Sequence, residues 1–347
     1  MEPTLNSSPE TRLTSLESWL QSLVATHGIR PDTLEPASSD ASFRRYYRLQ
    51  APAGTAIVMD APPSHEDCRP FVHVTGLLQQ AGIQVPAILA QNLEEGFLLL
   101  SDLGTQTYYQ AIQAGLPDDR LQAIYRDALH ALVRMQQAPV DGLPPYDATR
   151  LQQELTVFPE WYAQRHCGVE LDAADQGTLR NVFDLLVADN VRQASVLVHR
   201  DFHSPNLMLQ ADPANPGVID YQDALFGPIS YDIASLVMDA RTTWEEPQQL
   251  DWAIRYWEAA KAAGLPIPPD FAVFHREYEW MGLQRNLRIL GVFARLAYRD
   301  GKHHYLDHMP RVNAYVRQVA GRYTVFRPLL RLMDKLENRQ SITGYTF

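Results

Sequence analysis

Lysine is missing from the first 260 residues of this 347-residue chain; the earliest is Lys261. Any N-terminal site that holds phosphate through an ammonium is thereby excluded, and arginine must take its place. Glycine is missing between Gly28 and Gly54, so that stretch has no glycine-rich phosphate cradle of the usual kind. Cysteine is limited to Cys68 and Cys167 with no Cys/His ligand spacing, which removes a disulfide framework or a zinc site and leaves two buried thiols. No apolar run reaches the roughly 18 residues of a membrane span. The segment 1–8 lacks the basic and apolar regions of a signal peptide, so a cytoplasmic location is expected. A net charge of -11 works against a nucleic-acid partner, and nothing in the pattern requires an obligate protein partner. There is no repeat and no low-complexity stretch. At this length two compact units are expected.

What is present begins with Leu13, Leu16, Leu20, Leu23 and Val24 at helical spacing, closed by Gly28. Phe43–Leu49 and Ala56–Met59 flank the turn sequence Ala51-Pro52-Ala53-Gly54 and predict a hairpin. Phe71, Val74, Leu77 and Leu78 predict a helix over about 68–80, and Phe97–Leu100 a short buried strand. Helical stripes then dominate, including 121–132, 252–263 and a long helix over about 271–296. Three short apolar runs at 195–198, 207–209 and 218–219 interrupt them.

Between those runs lies His199-Arg200-Asp201-Phe202-His203-Ser204-Pro205-Asn206, the H-R-D-x-x-x-x-N catalytic-loop pattern of kinases. Its spacing suits the chemistry. Asp201 can accept the proton of an acceptor hydroxyl, and the amide oxygen of Asn206 can turn back to a magnesium ion. Asp220, fourteen residues on and at the end of an apolar run, occupies the position of a second metal ligand. ATP and Mg2+ are the implied cofactors. His199 reads as a loop-orienting residue, Asp232 as a carboxylate bracing the catalytic loop through backbone N–H groups, and Asp223 as solvated.

Val196–Asp201, Val218–Asp220 and Gly227-Pro228 together resemble the aminoglycoside phosphotransferase and choline kinase superfamily. The resemblance implies an α+β, protein-kinase-like, two-lobed fold: a small β-rich nucleotide-binding lobe over 1–103 and a larger, mainly helical catalytic and acceptor-binding lobe over 104–347. Phe97–Gly104 looks like that family's hinge, where backbone groups near Ser101 and Leu103 would bind adenine. Segments 39–46, 59–63, 102–108, 158–162 and 299–302 look like the bacterial anomeric sugar kinases, which phosphorylate N-acetylmuramate and N-acetylglucosamine at C1 in cell-wall recycling. A small-molecule sugar is the implied substrate. Aminoglycoside or choline kinases and a nucleotide-binding pseudokinase are the competing readings.

The chain departs from the kinase pattern in one place. The strand that should carry the phosphate-clamping lysine reads Ala56-Ile57-Val58-Met59-Asp60, and no acidic residue lies between Cys68 and Asn92. The lysine and its helical glutamate are expected to be lost together, with only Glu66 or Asp67 at the helix edge, because a glutamate kept alone would be a costly unpaired charge. Small residues of the loop, Ser39 and Ser42 among them, are expected to let phosphate approach the backbone, with Arg44 or Arg45 replacing the lysine. His203, Glu160, Trp161, Gln284, Arg285 and Arg295 are the acceptor-site candidates. Arg285 or Arg295 is the expected partner for the lactyl carboxylate of N-acetylmuramate.

Overall fold

The protein is described by a computed structural model covering residues 9–39, 43–211 and 215–338. It divides into two compact units. The first runs to Gln106 and also takes back residues 208–223; the second holds 107–207 and everything from Ala224 onward. The expected division at 103/104 is thus displaced by three residues, and the return of 208–223 to the first unit was not anticipated.

In the first unit, helix α1 (Pro9–His27) precedes strands β1 (Arg30–Ser39), β2 (Arg45–Ala51) and β3 (Gly54–Asp60), helix α2 (Arg69–Gln80), and strands β4 (Ile88–Asn92) and β5 (Phe97–Ser101). The strands form one sheet in the order β1-β2-β3-β5-β4. Leu16 and Leu20 of α1 are fully buried with Leu49, Val58, Phe97 and Leu99, so one sheet face is packed against this helix. Leu13, expected in the same stripe, is exposed. β5 lies between β3 and β4 and is buried on both faces, which explains its continuous apolar run rather than an alternation. β1 contains Pro31 and Pro36 and pairs with β2 through two register shifts; prolines are tolerated there because it is an edge strand.

The second unit begins with α3 (Tyr108–Gln113), α4 (Asp118–Met135) and α5 (Ala148–Leu155), followed by a π-helix over Phe158–His166 and α6 (Ala173–Asn190). β6 (Ser195–Val198) leads into the catalytic loop. At β7 (Leu207–Met208) the chain passes into the first unit, which holds β8 (Gly217–Val218). β9 (Leu225–Pro228) returns to pair antiparallel with β6, and α7 (Tyr231–Val237), α8 (Glu246–Ala262), α9 (Phe271–Tyr298), α10 (Met309–Arg322) and α11 (Arg327–Leu336) complete the unit. The 28-residue α9 is its central helix, packed by α6, α7, α10 and the π-helix. Gly291 permits the last contact: a Cβ there would lie 2.5 Å from the Val157 backbone. Among the described residues no helix is long and apolar enough to cross a membrane.

Candidate active site

The catalytic loop is held from beneath by buried carboxylates. Asp232, at the start of α7, accepts the backbone N–H groups of His199 at 2.6 Å and Arg200 at 3.0 Å, as expected from the sequence. Burial nevertheless raises its carboxyl to about 7, against the pull of those two donors and of Arg285. His199 is fully buried, and its Nδ1 accepts from the Asp201 N–H at 3.3 Å, which places the ring proton on Nε2. Arg200 adopts φ +78°, a left-handed conformation uncommon for a side-chain-bearing residue, and so turns the chain into the loop.

Asp201 itself is half-buried. Burial alone would raise its carboxyl, but His203, Arg288, Arg285 and Arg200 outweigh that and hold it at about 2. It is therefore ionised throughout the neutral range. Its carbonyl accepts the Asn206 side-chain N–H at 2.9 Å, which orients the amide oxygen as the end suited to a cation. Two of the surrounding arginines share one anchor: Glu154 receives Arg200 at 2.6 Å and Arg288 at 3.4 Å, and it also accepts from the Tyr146 hydroxyl.

Asp239 is a participant that the sequence pattern did not reveal. It is fully buried, accepts the N–H of Ser204 at 3.1 Å as well as its hydroxyl, and lies 3.6 Å from Nδ1 of His203. Burial opposes ionisation here too, but His203 and Ser204 hold Asp239 well below the usual carboxylate range. The only hint in the sequence is a lone acid after the wholly buried run of α7. His203 is 7% exposed, and its buried Nδ1, which faces Asp239, makes no hydrogen bond.

The first unit carries the remaining predicted residues. Asp220 has φ +65°, and its Oδ1 accepts from the Gln222 side chain at 2.8 Å; Asp223 is exposed, as expected. Next to it, Tyr221 stacks on Phe71 at 5.0 Å between centroids and shares a 2.8 Å hydrogen bond with Thr75, tying 208–223 to α2. Among the described residues no group of three or more His, Cys, Asp or Glu forms a metal cage. Asp220 in the first unit and Asn206 in the second each offer an oxygen donor of the kind magnesium takes, commonly from one or two carboxylates with nucleotide phosphates supplying other oxygens.

β3 carries no lysine and α2 no acidic residue, as expected, and an ion pair forms from residues outside both elements. Arg44 Nε donates to Glu66 at 3.2 Å, both side chains being largely buried, and Glu66 also accepts the Phe43 N–H. An ion pair is retained, with its cation on the way into β2 and its anion just ahead of α2. Burial would lower the Arg44 pKa, but Tyr46, Glu66 and Asp220 raise it. Arg45 is exposed, and Arg48 is committed to Asp102 at 2.6 Å. Ser42 lies outside the described residues; Ser39 is the last residue of β1, where its backbone pairs with Arg45.

At the expected hinge, Ser101 is occupied by the fold: its N–H donates to the Ala87 carbonyl and its Oγ accepts from the Ala87 N–H, both at 2.8 Å. The Leu103 carbonyl accepts from the Gln210 side chain. Gln284 is a structural residue and not an acceptor contact, since its amide bonds Asn190 at 2.7 Å and the Leu151 carbonyl at 3.3 Å. Glu160 is exposed and Trp161 half-buried, both on the π-helix, a geometry frequent at functional sites.

With this loop geometry established, the profile of the phosphotransferase enzyme family matches residues 33–272. The chain belongs to that family. Curated relatives named N-acetylmuramate/N-acetylglucosamine kinase include those of Pseudomonas aeruginosa, 46% identical over 95% of this chain and 98% of the relative, and Neisseria meningitidis, 41% identical over 97% and 99%. Among solved structures, an aminoglycoside phosphotransferase homologue from Ralstonia eutropha superposes with a TM-score of 0.61 at 16% identity, covering 88% of this chain and 96% of that one. A Plasmodium vivax ethanolamine kinase gives 0.61 at 10% identity, covering 90% and 91%. The phosphotransferase fold is therefore a β-rich N-terminal unit and a larger helical one.

Proposed function

We propose that this phosphotransferase moves the terminal phosphoryl group of ATP to the anomeric hydroxyl of N-acetylmuramate and N-acetylglucosamine. The full-length likeness, at 41–46% identity, to three kinases of that name carries this reading. Asp201 is the base. An anomeric hydroxyl is more acidic than an ordinary sugar alcohol, so a carboxylate of low basicity, as the cations around Asp201 make it, suffices to take its proton as the oxygen attacks. Asn206 and Asp220 are the magnesium ligands. When bound, the ion supplies charge neutralisation at the phosphate oxygens.

Arg44, held by Glu66, grips the phosphates in place of the missing lysine, and the hinge around Leu103 receives the adenine. Arg44→Ala is expected to raise the KM for ATP or lower kcat by about 10-fold, the scale of a lost charge-assisted phosphate contact. Arg45→Ala should do markedly less; equal effects in steady-state assays would remove Arg44 from this role.

The acceptor reading is checked by product NMR after incubation with ATP, magnesium and either sugar. Phosphorus coupled to the anomeric proton is expected, with no product from 1-deoxy sugars. Phosphate on the 6-hydroxyl, or transfer only to aminoglycosides or choline, would defeat the sugar assignment and leave the kinase assignment standing.

A further inference from the structure

Four arginines fall on one face of α9. Arg285, Arg288, Arg295 and Arg299 follow one another at helical spacing, and at about 1.5 Å rise per residue the row extends roughly 20 Å. Each of three has an acidic counterpart. Arg285, 3% exposed, acts on Asp201 and Asp232; Arg288 pairs with Glu154; Arg299 pairs with Asp300 at 2.7 Å.

Arg295 differs. It forms no ion pair among the described residues, and its buried Nε has no hydrogen-bond partner. Burial lowers its pKa, and the like charges of Arg299 and Arg288 lower it further, while Asp300 and Glu160 compensate only in part. An added carboxylate would relieve that repulsion and satisfy the guanidinium. Arg285 also has two nitrogens without partners, but it is enclosed beside the catalytic loop and cannot be displayed to a sugar substituent.

We propose that Arg295 forms a subsite that takes the carboxylate of an acidic sugar acceptor and so sets the preference between carboxylated and neutral amino sugars. This rests on the acceptor reading above. The row then has a division of labour: Arg285 and Arg288 keep the base ionised, and Arg295, about 10 Å further along the helix from Arg288, reads the acceptor's own charge.

The test compares the parent with Arg295→Gln and Arg295→Lys, using N-acetylmuramate, its lactyl methyl ester and N-acetylglucosamine. Sugar binding is measured by calorimetry and turnover by steady-state kinetics. For Arg295→Gln the loss of affinity and of kcat/KM on N-acetylmuramate should exceed any loss on the other two sugars by about 10-fold or more, arising in KM, with partial recovery in Arg295→Lys. Equal losses on all three sugars, or parental N-acetylmuramate binding in Arg295→Gln, would overturn the subsite. Arginine-dependent N-acetylmuramate binding without phosphorylation would instead overturn the acceptor reading and leave the subsite in place. Failure of the parent to bind any of these sugars would overturn both.

Discussion

Asp201→Asn is expected to leave the fold and nucleotide binding intact while cutting turnover by roughly 10²-fold or more, the usual scale of a positioned general base. Asparagine matches the side chain in size, and the loop's backbone bonds, the Asp201 N–H to His199 and its carbonyl to Asn206 and the His203 N–H, do not involve the carboxylate. What is lost is the proton acceptor and the negative charge facing His203, Arg288, Arg285 and Arg200. The charge has a consequence for pH. A carboxyl held at about 2 is depressed below its unfolded value, so it contributes stability above the unfolded pKa of about 4 and loses it as pH falls through the folded one. Between pH 5 and 8 Asp201 should therefore impose no acid limb on kcat/KM. Parental turnover in a well-folded Asp201→Asn protein would remove Asp201 as the base, and an acid limb near pH 6 that vanishes in this variant would contradict the depressed pKa.

Asp220→Ala should abolish magnesium-supported nucleotide binding, and more severely than Asn206→Ala, because a formal charge disappears along with a ligand oxygen. Asp220 also sits at φ +65°, where Asp is tolerated better than Ala, so part of the alanine effect would be backbone strain. Asp220→Asn separates the two, since it accepts the left-handed conformation and lacks only the charge. Calorimetric titration of ATP with and without magnesium is the readout. The asparagine variant should lose most of the magnesium-dependent increment in affinity; retention of that increment in both variants would place the metal elsewhere.

The loop over 199–206 was legible as a loop because polar residues and Pro205 separate the two apolar runs that form β6 and β7. α2 was legible because Phe71, Val74, Leu77 and Leu78 are all buried at the spacing they announce. Features created by pairing distant or irregular segments were less visible. β1 carries two prolines that argue against a strand, and only its edge position reconciles them. Glu66 precedes its helix, so a search for a glutamate inside α2 passes over it; its partner Arg44 is 22 residues away on a different element. Asp239 becomes informative only when His203 and Ser204 are seen beside it, 35 residues earlier for the latter. The π-helix over Phe158–His166 has no periodicity of its own to betray it.

The return of residues 208–223 to the first unit bears on how the chain is made. Tyr221 meets Thr75 across 146 residues, and it stacks on Phe71 of the same helix. On the ribosome, α2 is therefore synthesised long before the segment that covers Phe71, with the whole stretch from Thr107 to Leu207 emerging in between. At roughly 5–20 residues per second, that leaves an apolar surface awaiting its partner for on the order of ten seconds. The N-terminal unit, although its sheet is encoded first, cannot finish folding until Asp223 has emerged.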